Sequence, residues 1–411
     1  MAENDIYNSK KRYENAVATL DELLEKPRGG KRKFYCKNPN NLKYFQNLIE
    51  YFEAKDLSYI RRCRVFQLMR LVVFAIEKDL KDCDRRDIDK LMAFSHKSHK
   101  TIESRKTLVR DLKVVWKILF PERDHKGRID ENLTPYAVRH LTRKIDKSKQ
   151  KLRNDRFSLE EFHKILQFFD NDPCMQAYLT LAFESLGRPQ EILYTKIRDY
   201  EFYDNYAKIF ISSHGKEGTG FLQCIDSYPY VLEWFRKHPL KSDPEAFFFI
   251  NQSNNGRYKQ LKNININKRI RHACDALGID KNITCYSLKR NGVTFRRKRG
   301  DSDLQIQRVA RWTSTKQLQH YDMTNEEDAL QVALKKRGLI NAGKSDSSEV
   351  KACSFCGTNN GFTADFCGKC RRPLDREKVQ QMHAEHERLV QNQMIQRLDK
   401  MEQLFHKALG K

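Results

Sequence analysis

Arg188 stands in the segment Leu186-Gly187-Arg188-Pro189-Gln190-Glu191-Ile192-Leu193, where Pro189 suits the first turn of a helix. An arginine there adds a guanidinium to the free N–H groups and dipole of a helix start, which already favour an anion. Glu191, one turn on, is placed to hold that guanidinium. Lys216 lies in Gly215-Lys216-Glu217-Gly218-Thr219-Gly220, a turn composition that lets a lysine reach out and a ligand approach the backbone. Thr284-Cys285-Tyr286-Ser287-Leu288-Lys289-Arg290-Asn291 reads as the capped start of a basic helix running into Arg296-Arg297-Lys298-Arg299. Those trailing charges suit a solvated or phosphate-facing surface. Trp312 and Tyr321 are nine residues apart, and the Thr/Ser segment between them can end one helix and cap the next. Both rings can thereby reach one pocket. Each piece alone fits an ordinary structural role: an ion pair, a turn lysine, core aromatics. Together they supply cations for an anionic ester, a proton donor and an attacking hydroxyl.

Their order and spacing resemble the catalytic series of tyrosine recombinases (integrases). The family pattern is an Arg followed three residues later by Glu, a hairpin Lys, a His-x-x-Arg box, a His or Trp, and a Tyr nine residues after it. Asp199, eleven residues after Arg188, also falls where the family often has an Asp. The resemblance covers roughly Phe157–Leu334, and the helical stretch before it is similar to the family's core-binding domain without a specific motif. It implies that Tyr321 attacks a DNA phosphodiester and becomes joined to it through a 3′-phosphotyrosine link, which a 5′ hydroxyl later reverses. A phenol has a free pKa of about 10, so it needs a cationic site or a base to lose its proton. Cationic donors must neutralise the extra charge of the pentacoordinate transition state, a task to which the planar arginine fork is suited. By the resemblance Lys216 is the general acid for the leaving 5′ oxygen. Trp312 can donate its indole N–H to a non-bridging oxygen. The bond energy is kept in the protein link, so neither ATP nor a catalytic metal is implied, and no Walker-type loop is present in the sequence.

The chain departs from the pattern in the third box, where Tyr286-Ser287-Leu288-Lys289 replaces His-x-x-Arg and Arg290 takes the place of a frequent His. Some relatives resemble this Tyr-Ser-x-Lys form. Gap-free alignment gives Lys289 the second arginine's role, whereas phosphate chemistry favours Arg290. Successive helix positions differ by about 100° in direction, so the two are not equivalent. Both stand as candidates, and Tyr286 does not.

These residues need elements to position them. The expected class is mainly α with a small antiparallel β-sheet. Residues 1–35 are charged and read as a basic flexible arm. Residues 36–125 read as a helical core-binding, DNA-clamping domain, with Phe45, Leu48, Ile49 and Phe52, then Phe66, Met69, Val72, Val73 and Ile76, at helical spacing. Arg61-Arg62-Cys63-Arg64 would give it a positive face. A linker over 126–156 precedes a mixed α/β catalytic domain over 157–338, in which Tyr206–Ile211 and Phe221–Ile225 form a hairpin. A second linker, 339–350, leads to a zinc ribbon over 351–375 and an amphipathic helix over 376–411. In the ribbon, Cys353-x-x-Cys356 and Cys367-x-x-Cys370 offer four thiolates for a closed, structural Zn²⁺. Gly357 and Gly368 would permit the knuckle turns. An iron–sulfur centre is the rival. The other seven of 11 cysteines are scattered, which argues against a disulfide framework, and Cys285 reads as a small buried residue. In the tail, Val379, Met382, Val390, Met394, Leu398, Met401 and Phe405 make an apolar stripe suited to a partner helix or to the chain's own body.

The net charge of +24 creates a field that attracts polyanions, foremost nucleic acid. The chain has no apolar run near 18 residues, and its N-terminus is neither a signal nor a transit sequence, so no membrane partner and a cytoplasmic location are expected. The resemblance implies double-stranded DNA as partner, a C-shaped clamp round it, and a homo-tetramer on two DNA sites. A mobile element's integrase fits the added tail better than a resolvase does. The competing classes are a catalytically inactive DNA-binding regulator, which the altered third box favours, and a type IB topoisomerase-like enzyme.

Overall fold

The computed structural model describes residues 8–26, 34–98, 101–142, 154–211, 219–254, 256–340, 350–361 and 364–374, with scattered positions between 384 and 401. The chain divides into two units, Met1–Leu152 and Arg153–Lys411.

The first unit is helical: α1 (Ser9–Ala18), α2 (Lys43–Ala54), α3 (Tyr59–Ala75), α4 (Arg85–Ser98), α5 (Ile102–Leu119) and α6 (Tyr136–Arg139). The apolar stripes read from the sequence meet in one core containing Phe45, Leu48, Phe52, Phe66, Met69, Leu112, Val115 and Trp116. Thr101 caps α5 through its hydroxyl. Two segments expected outside the domain are part of it. Helix α1 lies within the expected arm, held by Tyr13, which packs edge-on against Phe66 at 5.2 Å and under the Arg62 guanidinium at 5.4 Å. One buried ring in a charged helix leaves no stripe to read. Helix α6 lies within the expected linker and buries Ala137 and Val138 in the same core. Arg62 does not join a positive face: it is buried and donates to the carbonyls of Leu57 and Phe52. Arg61, Arg64 and Arg110 surround buried Asp111.

Asp79 ties α2 to this unit. It accepts hydrogen bonds from Tyr44 Oη at 2.5 Å and Lys43 Nζ at 3.1 Å, and from the backbone N–H of Lys81 at 3.1 Å. The Tyr44 bond foremost, with the others, holds its carboxyl down to about 2. The folded value lies below the unfolded one of about 3.9, so the stability it contributes is complete above about pH 4 and is lost as pH falls towards 2. By pH 2 that loss is about 2 kcal/mol. Urea unfolding at pH 7 and pH 2 should show a smaller acid effect in Asp79→Asn than in wild type; equal acid effects would contradict this.

The second unit begins with α7 (Leu159–Phe168), capped reciprocally by Ser158 and Glu161, and α8 (Pro173–Glu184), capped by Asp172 with Pro173 in its first turn. Helix α8 is buried on every side from Cys174 to Glu184, so it forms the axis of the core. After α9 (Pro189–Leu193) comes a sheet of order β1 (Tyr200–Phe202), β2 (Ala207–Ile211), β3 (Gly220–Cys224). The expected hairpin is β2–β3, antiparallel with Ile209 opposite Leu222; the three-residue β1 is added at its edge. Helices α10 (Tyr228–Lys237), α11 (Asn263–Ala276), α12 (Cys285–Arg299), α13 (Asp303–Val309), α14 (Leu318–Tyr321) and α15 (Glu326–Lys336) follow, then the two-stranded β4 (Val350–Ala352) and β5 (Asn359–Gly361). The expected class, mainly α with a small antiparallel sheet, is met. Among the described residues no helix is long and apolar enough to cross a membrane.

Gly292 fixes how α12 crosses α8. A Cβ there would lie 2.1 Å from the carbonyl oxygen of Phe183 and 2.7 Å from Leu186 Cδ2. No rotamer relieves a clash with backbone, so Gly292→Ala must push the helices apart. The expected cost is about 3 kcal/mol, or a fall in Tm of roughly 6–12 °C. A Tm within a degree of wild type in thermal unfolding would contradict this packing.

Candidate active site

At the end of α8 the chain turns through Leu186 and Gly187 to Arg188, the residue that caps α9. Leu186 adopts a left-handed conformation, φ 54°, at a cost of about 1–2 kcal/mol for a residue with a Cβ. Its side chain is buried with Val293, Ile306, Ala310, Trp312 and Leu318, which offsets that cost and knits the corner to α12, α13 and α14. Arg188 is only 5% exposed. Its backbone N–H donates to Glu191 Oε2 at 2.9 Å, and its Nη1 lies 3.6 Å from Glu191 Oε1. The pairing read from the sequence is therefore present. Glu191 Oε2 also accepts from Arg311 Nη2 at 2.7 Å, so one buried carboxylate serves two guanidinium groups.

Helix α12 separates the two candidates of the third box. Thr284 and Ser287 cap it reciprocally, as the sequence suggested. Lys289, 1% exposed, points its ammonium towards the rings of Trp312 at 5.4 Å and Tyr321 at 5.2 Å. Arg290, one position on, forms a charged hydrogen bond with Asp155 instead. Asp155 also accepts from Ser287 Oγ at 3.1 Å, and its carbonyl accepts from Asn291 Nδ2 at 2.8 Å. Arg290 thus anchors the chain entering α7. Tyr286 is half open to solvent, and burial pushes the Cys285 thiol up to about 11, as suits an inert core cysteine. The trailing arginines of α12 are also engaged within the chain. Arg296 pairs with Asp301, Arg297 with Asp303 and Asp322, Lys298 with Asp328, and Arg299 with Asp301. Lys298 and Arg299 are nonetheless exposed, so the run lies on a solvated surface while paired within the chain.

After α13, Arg311 turns the chain with φ 57° and delivers Trp312, whose backbone N–H donates to the Gln307 carbonyl at 2.9 Å. Ser314 caps the short turn that follows, and α14 brings Tyr321 back to Trp312, ring centroids 5.1 Å apart at 32°. Trp312 is 4% exposed, and its indole N–H is buried without an acceptor among the described residues. Such a donor is costly unless something arrives to accept from it. Tyr321 is half-buried. Asp199 caps its own turn, accepting from the Lys196 N–H at 2.7 Å, and burial raises its pKa. Lys216, between β2 and β3, lies outside the described residues.

The structure therefore brings Lys289, Trp312 and Tyr321 together and joins Arg188 to Arg311 through Glu191. The residues that sequence reasoning missed are Arg311 and Asp155. Their only sequence signals are a charge between two buried residues and an acid just before a domain start. The fold defined by these elements is mainly helical with a small antiparallel sheet. It is similar to solved structures of the XerH site-specific recombinase bound to palindromic difH substrate (TM-score 0.52, 13% identity, 73% of this chain and 98% of that one). It is also similar to a lambda integrase dimer bound to a COC′ core site (0.52, 14%, 68% and 76%) and to the Tn1549 transposon integrase with transposon right end DNA (0.52, 11%, 72% and 99%). No curated protein matches the chain. Residues 155–328 match the phage integrase family, so this chain carries a phage integrase family domain.

Beyond that domain, Cys353, Cys356, Cys367 and Cys370 place their sulfur atoms within 4.8 Å of one another. Cys353 and Cys370 are 3.6 Å apart, and Cys356 and Cys367 3.5 Å. Tetrahedral Zn–S bonds of about 2.3 Å require sulfurs about 3.8 Å apart, so the group fits such an ion. Gly357 adopts φ 68° and turns the first knuckle. The second differs from expectation: Arg371, φ 61°, takes the left-handed position, while Gly368 donates its N–H to buried Asn360 at 2.8 Å. The ribbon rests on α10, with Gly361 so close to Tyr230 that a Cβ would lie 3.0 Å from the ring. Of the tail stripe, Val390, Met394, Leu398 and Met401 are helical and exposed; Val379, Met382 and Phe405 lie outside the described residues.

Proposed function

We propose that this chain is a site-specific DNA recombinase that cuts and rejoins strands through a 3′-phosphotyrosine link at Tyr321. The observation that carries this reading is the convergence of Lys289, the Trp312 indole N–H and Tyr321 in one buried corner. The Tyr321 oxygen forms a bond to the scissile phosphorus, and the bond from phosphorus to the 5′ oxygen breaks. Lys216 gives the leaving oxygen its proton. Arg188 and Lys289 hold the non-bridging oxygens, with Trp312 donating to one of them. Arg290 keeps a structural role against Asp155. The reverse step, with a 5′ hydroxyl from another strand, completes an exchange without ATP or a catalytic metal.

The partner is double-stranded DNA, gripped by the helical unit as well as the catalytic one and favoured by the charge of +24. The related structures that support this include recombinases bound to DNA and a lambda integrase tetramer on a Holliday junction. A homo-tetramer on two sites follows from the same chemistry, since an exchange needs four cuts. The added ribbon, with a structural Zn²⁺ held by Cys353, Cys356, Cys367 and Cys370, and the likeness to a transposon integrase favour a mobile element's integrase. The test uses nicked suicide duplexes tiled across the DNA flanking the chain's own gene. Wild type should become covalently attached to one of them, and Tyr321→Phe should bind it without attachment. Binding without attachment by wild type would instead identify a DNA-binding regulator.

A further inference from the structure

Ile264, in the first turn of α11, is 75% exposed, the most open of the large apolar side chains among the described residues. The helix buries Ile266, Ile270, Ala273 and Cys274. The period that turns those residues inward turns Ile264, Asn265, Lys268, Arg271 and His272 outward on one face, and all five are exposed. One aliphatic side chain on a surface needs no explanation. Its surroundings supply one here. The segment leading into α11 folds back on itself: Ile250 pairs with Gln260, and the Asn251 N–H donates to the Lys259 carbonyl at 2.8 Å. It exposes Arg257 and Lys259, with the Arg257 guanidinium over the Tyr258 ring at 5.0 Å. Lys262 is exposed just before the helix. The sequence has no acid between Glu245 and Asp275. The cation of this stretch that turns away is Arg269, which pairs with Asp172.

A run of exposed cations without acids fits a polyanion. What sets this one apart is an aliphatic and an amide side by side in the first helical turn, with lysines before and after them. The major groove of duplex DNA meets both kinds of group. The thymine methyl takes apolar contact, adenine N6 and N7 pair with an asparagine amide, and phosphates on either side take lysine and arginine. A helix about 10–12 Å across enters a groove about 12 Å wide. The major groove of duplex RNA is too narrow and deep for such a reading. Helix α11 is also tied to the candidate active site. Asn267 Oδ1 accepts from the backbone N–H of Cys285, the first residue of α12, at 2.9 Å. Helix α12 carries Lys289 to the rings of Trp312 and Tyr321. A base held by α11 is therefore held in register with Tyr321.

We infer that α11 reads the recombination site in the major groove. Ile264 packs on a thymine methyl and Asn265 pairs with an adenine edge, while Arg257, Lys259, Lys262 and Lys268 bind the flanking phosphates. This rests on the reading of the chain as a site-specific DNA recombinase, and it names residues that choose the site without taking part in the cut.

The test uses the full chain and reads binding. Wild type and Ile264→Ala each select duplexes from a random-sequence library. The wild-type consensus is then titrated with each thymine in turn replaced by deoxyuridine, which lacks only the methyl group. Ile264 is open to solvent, so the alanine variant should melt like wild type. For wild type, one replacement should weaken binding about fourfold, the effect of one buried methyl group. Ile264→Ala should bind the consensus at least that much more weakly, and the same replacement should cost it nothing further. Lys262→Gln with Lys268→Gln should weaken all duplexes alike and flatten the salt dependence. The same consensus from both proteins, or a thymine effect that survives Ile264→Ala, would overturn the inference and leave a surface that holds phosphates only. A wild type that selects no consensus would overturn it too. Lysine variants that bind DNA as wild type does would assign the face to an acidic protein instead. A wild type that shows the thymine effect yet never becomes attached to DNA fails the strand-transfer reading alone.

Discussion

Lys289→Met will lose strand cleavage by about 10²–10³ and keep its fold, whereas Arg290→Met will lose stability and keep its chemistry. Both residues are cations of α12, adjacent in sequence, yet their surroundings differ. Lys289 is buried against Trp312 and Tyr321, 5.4 and 5.2 Å from their rings. Methionine fills nearly the same volume, and replacing a buried charge by an apolar side chain of similar size is often neutral or stabilising for the fold. What disappears is a positive charge beside Tyr321. Arg290 pairs with Asp155, which is 4% exposed. Removing the arginine leaves that carboxylate buried without its cation, at a cost of about 3 kcal/mol. The Tm should fall by roughly 6–12 °C, and the folded fraction at low temperature should still cleave. Thermal unfolding and suicide-substrate rates for the two variants make the comparison. An inactive but stable Arg290→Met, beside an active Lys289→Met, would reverse the assignment.

This pair also marks where sequence reasoning stops. Arg188, Trp312 and Tyr321 stood out because their order and separations resemble a family series, and the structure brings Trp312 against Tyr321 as the nine-residue spacing suggested. The choice between Lys289 and Arg290 was not legible, because about 100° of helix rotation decides it and the deciding partner, Asp155, is more than 130 residues away in sequence. Arg311 was invisible for another reason: nothing in a sequence announces a left-handed arginine. The same holds for Arg371, which took the knuckle position that Gly368 was expected to fill. Among the elements, long amphipathic helices such as α2 and α5 followed their stripes. Helix α1 was hidden because one residue, Tyr13, anchors it. Strand β1 is too short to show alternation and exists because Tyr200 can pair with Ile209.

The second large effect concerns the ribbon. If the four cysteines hold the proposed zinc, its removal is expected to unfold β4 and β5 and leave the phage integrase family domain intact. Among the described residues of segment 350–374 only Cys353, Asn360, Gly361 and Cys367 are buried, which is no hydrophobic core. A zinc ion on four thiolates contributes about 10–16 kcal/mol to such a fold. Wild type should hold one zinc per chain by elemental analysis and Cys367→Ser none. Amide exchange in β4 and β5 should then become fast, and Tyr230, under Gly361, should gain exposure, while α7 to α15 keep their protection. Protected β4–β5 amides in metal-free protein would contradict the account. A coloured, iron-containing protein would assign the four sulfurs to a cluster.

The central claim is that Tyr321 is the nucleophile, and one measurement addresses it most directly. Wild type is allowed to attach to its suicide duplex, the adduct is digested with protease, and the peptide that retains DNA is sequenced. The account predicts one adduct, through Tyr321, on a 3′ phosphate. A link to any other residue, a 5′ phosphate link, or no adduct on DNA that the protein binds tightly would contradict it.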